Sequence, residues 1–242
     1  MAKGSDKKSN RNFLQKIWHW CKRIFFWLFI AQLVYIVLLK WINPPITITQ
    51  LSSWISGHGL KRDYVNRNSI SYNMKLAVIS SEDQLFPDHH GFDWKSIKKA
   101  MAYNKRKPGR IRGASTISQQ VAKNVFLWQG KGWIRKGLEV YFTFMIELVW
   151  GKKRILEMYL NVIEMGNGIF GAEMAAQKYF NKPAKNLTRQ EAAMIAACLP
   201  NPKRWKVKPL SNYVAARSGW VMQQMRSLEP DPDVQRVIGY KR

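Results

Sequence analysis

The sequence predicts a mainly α-helical domain preceded by one N-terminal transmembrane helix. A long apolar stretch follows a basic leader, and the apolar residues beyond it recur mostly with helical spacing. Hydrophobic residues make up 46% of the 242 residues and charged residues 23%, which excludes extended disorder and low-complexity architectures. No convincing repeat or linker divides residues 46–242. We therefore expect a cytoplasmic basic leader (1–23), a transmembrane anchor (24–42) and one domain outside the cytoplasm (43–242).

The anchor is predicted by its length and its flanks. Apolar residues run from Ile24 to Leu39, and Trp41 with Ile42 extends the stretch across Lys40, close to the roughly 20 residues that span a bilayer. Seven Lys or Arg and one Asp precede it, so the positive-inside rule places the N-terminus in the cytoplasm. A cleaved signal peptide is the alternative. It is disfavoured because the stretch ends in LLKWINPPIT, which lacks a small-x-small cleavage site.

Local patterns predict individual elements of the domain. Residues 46–59 resemble short β-like and turn segments, whereas Leu138–Trp150 is almost wholly apolar and is expected to form a buried central helix. Thr188 and Glu191 form a capping box before an apolar run. Asp93 is the expected N-cap of a helix whose apolar face holds Trp94, Ile97, Ala100 and Met101.

The charge predicts an anionic partner. Forty Lys and Arg oppose 15 Asp and Glu, giving a formal net charge of +25. Such a surface suits nucleic acid, anionic lipid or a phosphate-bearing substrate. The densest run, residues 95–112, holds eight Lys or Arg and no acid. Because the domain is expected outside the cytoplasm, we favour lipid headgroups or an anionic substrate over a merely solvated face, and both over nucleic acid.

Two short motifs are discounted, and no structural metal site is expected. Gly166 to Gly171 matches G-x-G-x-x-G but follows a helical pattern instead of a strand, so a dinucleotide site is not predicted. Ser96 and Lys99 form S-x-x-K, but the K-T-G element of transpeptidases is missing. The four histidines and two cysteines lack zinc-type spacing.

Two glutamates are the candidate chemical groups. Glu82 ends an apolar helix-like run, and Glu139 lies four residues beyond Arg135 where the chain becomes apolar. Either alone is more often a helix-end charge or a structural ion pair, but two acids flanking a sugar bond are the usual equipment of glycosyl chemistry. Between and around them lie hydroxyls, amides and cations suited to phosphate oxygens. These are Ser115, Gln119, Gln120, Lys123, Asn124, Lys131 and Arg135. The residues alone thus predict a membrane-anchored domain with an acid pair and an anion site.

Five successive segments resemble the motifs of the bacterial peptidoglycan glycosyltransferases. They are EDQLFPDHHGFDW, GASTISQQVAKN, RKGLE, KKRILEMYLNVIEMGNGIFG with AAQKYF, and LTRQEAAMIAACLPNP, within roughly residues 70–220. The resemblance is strongest to the anchored, monofunctional members that lack a transpeptidase domain. Two positions depart from the family pattern. Ser118 stands where threonine is common and Lys131 where arginine is frequent, so hydroxyl and charge are kept but the bidentate fork is lost.

The resemblance implies a lysozyme-like fold with a smaller membrane-proximal lobe, and lipid II as the substrate that is polymerised into glycan. Glu82 would be the catalytic base, and Glu139 would lie near the donor diphosphate in a supporting role. The seven polar residues named above would bind donor and diphosphate. Glu157, Tyr159, Asn161 and Gly168 look structural, with Glu157 paired to a nearby cation.

The chemistry of the leaving group agrees with transfer. A diphosphate leaves as a stable anion, so cations can replace the acid that a glycosidase needs. The alternatives are a lysozyme-like glycan-cleaving enzyme and a non-enzymatic basic protein that binds lipid or nucleic acid. No cofactor is required on this interpretation, although family enzymes often respond to divalent cations. The expected partners are lipid II, the growing glycan and membrane lipid; cell-wall synthesis or division proteins stay open, and nucleic acid is not expected. The expected location is the inner membrane, with the domain in the periplasm.

Overall fold

The computed structural model describes residues 5–107, 109, 113–130 and 132–239. The chain divides into two units, Met1–Ile42 and Asn43–Arg242. The first unit contains helix α1, Ser5–Leu38. Within it, Gln15–Leu38 is the one described stretch long and apolar enough to cross a membrane, with a mean hydropathy of 1.8. The helix ends at Leu38, earlier than the predicted anchor, and residues 39–42 form turns.

The second unit is mainly helical, which confirms the predicted fold class. Its helices are α2 (Ile48–Ile55), α3 (Tyr72–Glu82), α4 (Trp94–Arg106), α5 (Ile117–Phe126), α6 (Trp133–Val149), α7 (Lys152–Val162), α8 (Ala172–Phe180), α9 (Arg189–Cys198), α10 (Asn212–Leu228) and α11 (Pro232–Ile238). Three short strands, β1 (Lys61–Arg62), β2 (Glu164–Gly166) and β3 (Ile169–Phe170), form a sheet in the order β1-β3-β2. Strand β3 is parallel to β1 and antiparallel to β2.

Helix α3 lies at the centre of this unit. Its residues from Met74 to Ser80 are all buried, so it is enclosed on every side instead of showing one polar face. It packs against α9 and α10, while α5 packs against α6 and α7. The central helix ends at Glu82, where the enclosed core gives way to an open cavity. The buried core therefore fixes the backbone that carries this glutamate.

Two predicted helix starts are confirmed. Asp93 caps α4, with its Oδ1 accepting from the Ser96 backbone N–H at 2.8 Å. Thr188 and Glu191 form the reciprocal capping box of α9, which ends at Cys198 shortly before Pro200. A cap satisfies backbone N–H groups that have no partner within the helix, so these side chains fix where each helix begins.

The β-like prediction for residues 46–59 is wrong, because Ile48–Ile55 is helix α2. Thr47 accepts from the Gln50 backbone N–H, and the Gln50 side chain accepts from the Thr47 backbone N–H. This T-x-x-Q capping box outweighs the β-branched residues that suggested a strand. Strand β1 follows the helix and has only two residues.

The prediction that Leu138–Trp150 is a buried central helix is wrong about burial. The helix exists as α6, but its buried residues are Glu139, Thr143 and Ile146. Leu148 is 70% exposed. Apolar composition predicted the helix correctly but does not distinguish contact with protein from contact with lipid. The largest exposed apolar side chains of α2 and α6 are Ile48, Leu51, Trp54, Ile55, Trp133, Ile134, Leu138, Phe144 and Leu148.

Candidate active site

Glu82 lies at the C-terminal end of α3 and lines a cavity of about 1050 Å³. Its Oε2 accepts a hydrogen bond from Gln120 Nε2 at 2.8 Å, and its Oε1 accepts one from Ser81 Oγ at 3.4 Å. Both donors are neutral. The carboxylate has no ion-pair partner within salt-bridge distance among the described residues.

Burial raises the pKa of Glu82 above its ordinary value, because desolvation disfavours the charged form. The hydrogen bonds from Gln120 and Ser81, with the positive charge of Arg217, act in the opposite direction. The negative charge of Asp83 adds to the increase. A carboxylate with a raised pKa is a stronger base, which suits it to removing a proton from a hydroxyl.

Asp83 fixes the chain directly after Glu82. It caps the C-terminus of α3, and its carboxylate contacts His89 Nε2 at 3.0 Å and accepts from the Ile117 backbone N–H at 2.9 Å. The Gly91 backbone N–H donates to His89 Nδ1 at 3.1 Å, and Gly91 carries a positive φ of 88°. The loop after Glu82 is thus joined to the first residue of α5, so the two helix ends that frame the cavity are held together.

Helix α5 brings several of the predicted anion-binding residues to the site. Ser115 is exposed, precedes the helix and lines the large cavity with Gln120 and Lys123. A second cavity of about 410 Å³ adjoins, and Gln120 and Lys123 line it too, together with Asn124. The Asn124 side-chain N–H donates to the Gln120 carbonyl at 2.8 Å. Gln120 and Lys123 therefore stand where the two cavities meet.

Two residues noted in the sequence, Gln119 and Ser118, do not line either cavity. The side chain of Gln119 is buried and accepts from the Thr116 backbone N–H as the N3 residue of a capping box, so it is committed to starting α5. Ser118 is buried and donates to Glu147, which Lys152 also contacts at 2.7 Å. Lys131 lies outside the described residues.

Glu139 has the opposite surroundings to Glu82. It is 3% exposed and accepts from Arg135 Nη1 at 2.8 Å on one oxygen and from Lys136 Nζ on the other. Both cations come from the preceding turn of α6, at spacings of three and four residues. Glu139 therefore neutralises and orients two cations, and its oxygens are occupied by them.

Lys123 is a third cation near Glu139. Burial lowers its pKa, while the negative charges of Glu139 and Glu82 counteract that effect. The charges of Arg135 and Lys136 lower the pKa of Lys123 further. Lys123 lines both cavities, whereas Arg135 and Lys136 line neither. A cation at the cavity with two further cations close to it can bind an anion with two negative groups, such as a diphosphate.

Some site residues were not identified from the sequence. Lys136 was passed over, although its spacing of three residues from Glu139 on a helix would have indicated the pair. Arg217, whose charge acts on Glu82, lies 135 positions away on α10, and no local pattern connects them. His89 was seen near Glu82, but its pairing with Asp83 required the fold.

Three of the residues predicted to be structural have structural contacts. Glu157 pairs with Arg154 at 3.2 Å and accepts from the Arg67 backbone N–H. Asn161 bonds both backbone groups of Val65. Gly168 has a φ of 66°, and a Cβ there would lie 2.1 Å from the His58 carbonyl oxygen, so only glycine fits.

No cluster of three or more metal-ligating His, Cys, Asp or Glu occurs in the part of the chain that the structure describes.

Comparison with known proteins agrees with this geometry. A family model described as "Transglycosylase" matches residues 48–226. Proteins named biosynthetic peptidoglycan transglycosylase, from Escherichia coli (strain ATCC 8739) and from Shigella boydii serotype 4 (strain Sb227), are each 55% identical over 190 residues. These alignments cover 77% of this chain and 78% of each relative. The matched region runs from α2 nearly to the end of α10, and it confirms the expected lysozyme-like, mainly α domain.

Proposed function

Because the chain belongs to the peptidoglycan transglycosylase family, we propose that it polymerises lipid II into β-1,4-linked glycan with Glu82 as the general base. The observation that carries the proposal is the contrast between two carboxylates. Glu82 faces a cavity with neutral donors and a raised pKa, whereas Glu139 is held by two cations. One acid is thus available for proton transfer, and the other organises positive charge.

The proposed reaction is a single displacement. The 4-hydroxyl oxygen of the acceptor sugar attacks the anomeric carbon of the donor, and its proton passes to Glu82. The bond from the anomeric carbon to the diphosphate oxygen breaks, and undecaprenyl diphosphate leaves as an anion. Attack from the opposite face converts the α-linked diphosphate sugar into a β-linked glycan. The proton gained by Glu82 is afterwards lost to solvent.

The cations near Glu139 supply the stabilisation that this leaving group needs. Lys123 lines both cavities, and Arg135 and Lys136 are oriented by Glu139. Fixed positive charge stabilises a departing diphosphate without donating a proton. A glycan-cleaving enzyme would instead need a second carboxylic acid that is free to protonate a poor alkoxide leaving group, and both oxygens of Glu139 are bound by Arg135 and Lys136. The site therefore favours transfer over hydrolysis.

The exposed apolar faces of α2 and α6 fit a lipid-linked substrate. Trp54 on α2 is 62% exposed, and Trp133 on α6 is 84% exposed. Exposed apolar side chains of this size favour contact with lipid, and tryptophan favours the membrane interface. We propose that α1 anchors the chain in the inner membrane with its N-terminus in the cytoplasm and the helical unit in the periplasm, where the substrate is used.

The proposal includes no transpeptidase activity. Ser96 and Lys99 of the S-x-x-K match lie on α4, and no K-T-G element occurs in the sequence. It also includes no required cofactor, with stimulation by divalent cations left to be measured. Cell-wall synthesis or division proteins are further candidate partners that the polymerisation assay itself does not need.

The test uses detergent-solubilised full-length protein with labelled lipid II and separates the products by size. We expect polymer from the wild type, and a rate lower by about 10²–10⁴-fold from Glu82→Gln, because general-base catalysis contributes about that much. Glu229→Gln is the matched control, since its carboxylate pairs with Arg189 on the surface. That control should polymerise at the wild-type rate.

Two results would contradict the proposal. One is wild-type-like polymerisation by Glu82→Gln, which would remove the proposed base. The other is release of soluble muropeptides from purified sacculi without any polymer growth, which would favour the glycan-cleaving alternative. Folding of each variant is checked by far-UV circular dichroism before its activity is compared.

A further inference from the structure

A chain of three side chains connects the buried core to Glu82. Tyr159, on α7, donates from its Oη to Gln120 Oε1 at 3.3 Å. Gln120, on α5, donates from its Nε2 to Glu82 Oε2 at 2.8 Å. The three residues come from α3, α5 and α7, so the chain of bonds depends on how these three helices pack together. The sequence indicated only a structural role for Tyr159.

Tyr159 is a permanent donor in this chain. The residue is fully buried, and burial raises the pKa of its phenol well above 10. The hydroxyl therefore keeps its proton throughout the working pH range of the protein. A buried hydroxyl also needs a partner, because an unsatisfied one costs free energy. Gln120 Oε1 provides that partner.

The Tyr159 hydroxyl favours one of the two orientations that the Gln120 side-chain amide can adopt. With Oε1 towards Tyr159, the amide N–H₂ faces Glu82 and stabilises its charged form. With the amide reversed, its oxygen would face the carboxylate, and two acceptors would oppose each other. A charged Glu82 also favours the first orientation, because it needs a donor. When Glu82 is protonated, it no longer requires that donor, but the hydroxyl of Tyr159 still favours the same orientation.

We propose that Tyr159 is a positioning residue for the reaction, which acts through Gln120 to keep a hydrogen-bond donor directed at the catalytic base Glu82. This inference rests on the proposed function. It adds that a hydroxyl in the buried core, which does not line the cavity, influences the strength of the base through Gln120. After each transfer, the oriented amide favours loss of the proton from Glu82 and thus return to the reactive carboxylate.

The other groups that act on Glu82 are unchanged by the test. They are Ser81 and Asp83 beside it, Lys123 on α5, Cys198 on α9 and Arg217 on α10. Replacing Tyr159 by phenylalanine removes one neutral oxygen and alters none of these groups. A change in the titration of Glu82 would then report the hydrogen-bond chain and not a change of net charge.

The experiment measures kcat and kcat/KM for labelled lipid II across pH in full-length wild type and Tyr159→Phe. A base must be ionised, so activity rises as pH passes the pKa of Glu82. Loss of the directed donor raises that pKa, and the acidic limb of Tyr159→Phe should move upward by about one pH unit. Above the limb, kcat should stay within about threefold of wild type.

Tyr179→Phe is the matched control. Tyr179 is partly buried, and its hydroxyl donates to the Met165 carbonyl at 3.0 Å instead of to Gln120. This variant should keep the wild-type limb. A double-variant test adds Tyr159→Phe to Gln120→Leu, in which the intermediate amide is already absent. If Tyr159 acts through Gln120, the second change should not move the limb further.

A second measurement separates this inference from the proposed function. Detergent-solubilised protein labelled with ¹³C-glutamate is titrated by NMR, and the Glu82 signal is assigned by its absence in Glu82→Gln. Tyr159→Phe should raise the Glu82 midpoint even if the wild type makes no polymer, in which case only the proposed function fails. An unchanged midpoint and limb in folded Tyr159→Phe would overturn the inference. If Tyr159→Phe does not fold, Gln120→Leu tests the step on which the inference depends: an unchanged Glu82 midpoint there would show that the Gln120 amide does not act on Glu82 and would overturn the inference.

Discussion

Glu82 and Glu139 belong to the same helical unit and both lie close to Lys123, yet their immediate partners differ. Glu82 accepts from a neutral amide and a neutral hydroxyl and faces a large cavity. Glu139 is buried between Arg135 and Lys136. The neutral donors leave the Glu82 carboxylate able to take a proton, whereas both oxygens of Glu139 are already bound by cations. Two residues of the same type thus differ in their surroundings, and this difference is the basis for proposing Glu82 as the base and Glu139 as the residue that orients the cations.

Loss of the Glu139 charge should reduce the stability of the folded protein more than any other change proposed below. Glu139→Gln removes the charge that compensates Arg135 and Lys136, so we expect it to lower the free energy of unfolding by about 3 kcal/mol. That is the lower end for a buried pair, because Lys136 is half exposed. The thermal unfolding midpoint should fall by about 6–12 °C, measured by circular dichroism in detergent.

Glu229→Gln provides the comparison with a less buried pair, since the side chains of Arg189 and Glu229 are 30% and 37% exposed. Exposed pairs contribute little, so its midpoint should change by no more than about 2 °C. Equal midpoints for Glu139→Gln and wild type would mean that Glu139 does not compensate the two cations.

The next effect concerns Lys123, which stands between the two carboxylates. Lys123→Met removes a charge at the junction of the cavities, and kcat/KM for lipid II should fall by about tenfold to a hundredfold. Burial lowers the pKa of Lys123, so wild-type binding should weaken at a lower pH than an ordinary lysine would give. Lys123→Arg keeps its charge and should move the alkaline limb of kcat/KM upward.

An alkaline limb that is identical in wild type and Lys123→Arg would show that Lys123 does not titrate in the working range. Undiminished kcat/KM in Lys123→Met would remove it from the binding of the diphosphate.

The smallest effect tests the remaining cation near Glu82. The charge of Arg217 lowers the pKa of Glu82, so Arg217→Gln should raise that pKa and move the acidic limb upward by about half a pH unit. Activity on the limb should fall about threefold, with little change above it. Arg226→Gln, an exposed change on the same helix, is the control. A limb that moves equally in both variants would indicate a general loss of positive charge instead.

Much of the fold and of the site was predictable because its signals are local. Capping by Asp93 and by Thr188 with Glu191 depends on residues only three apart, and both patterns gave the correct helix starts. The family resemblance rested on short continuous motifs, and it predicted both glutamates as site residues. The sequence analysis did not predict α2, because the β-branched residues of this segment favour a strand, whereas the capping box of Thr47 and Gln50 favours the helix that forms.

The rest depended on contacts between distant segments. Apolar composition predicted helix α6 but not its exposed face. Adjacent glutamines in one motif separate only in the fold, where Gln119 caps α5 and Gln120 bonds Glu82. The bond from Tyr159 to Gln120 joins positions 39 residues apart, and no spacing rule relates them. Side-chain direction decides each of these cases, and it follows from packing.

The most direct test of the account is the pH dependence of residual lipid II polymerisation in Glu82→Gln and Glu139→Gln, measured side by side at saturating substrate. If Glu82 is the base, the acidic limb disappears from the residual activity of Glu82→Gln. It stays at the wild-type position in Glu139→Gln, even though that variant is less active and less stable. An acidic limb that persists in Glu82→Gln and disappears in Glu139→Gln would show that Glu139 is the base, and it would contradict the account.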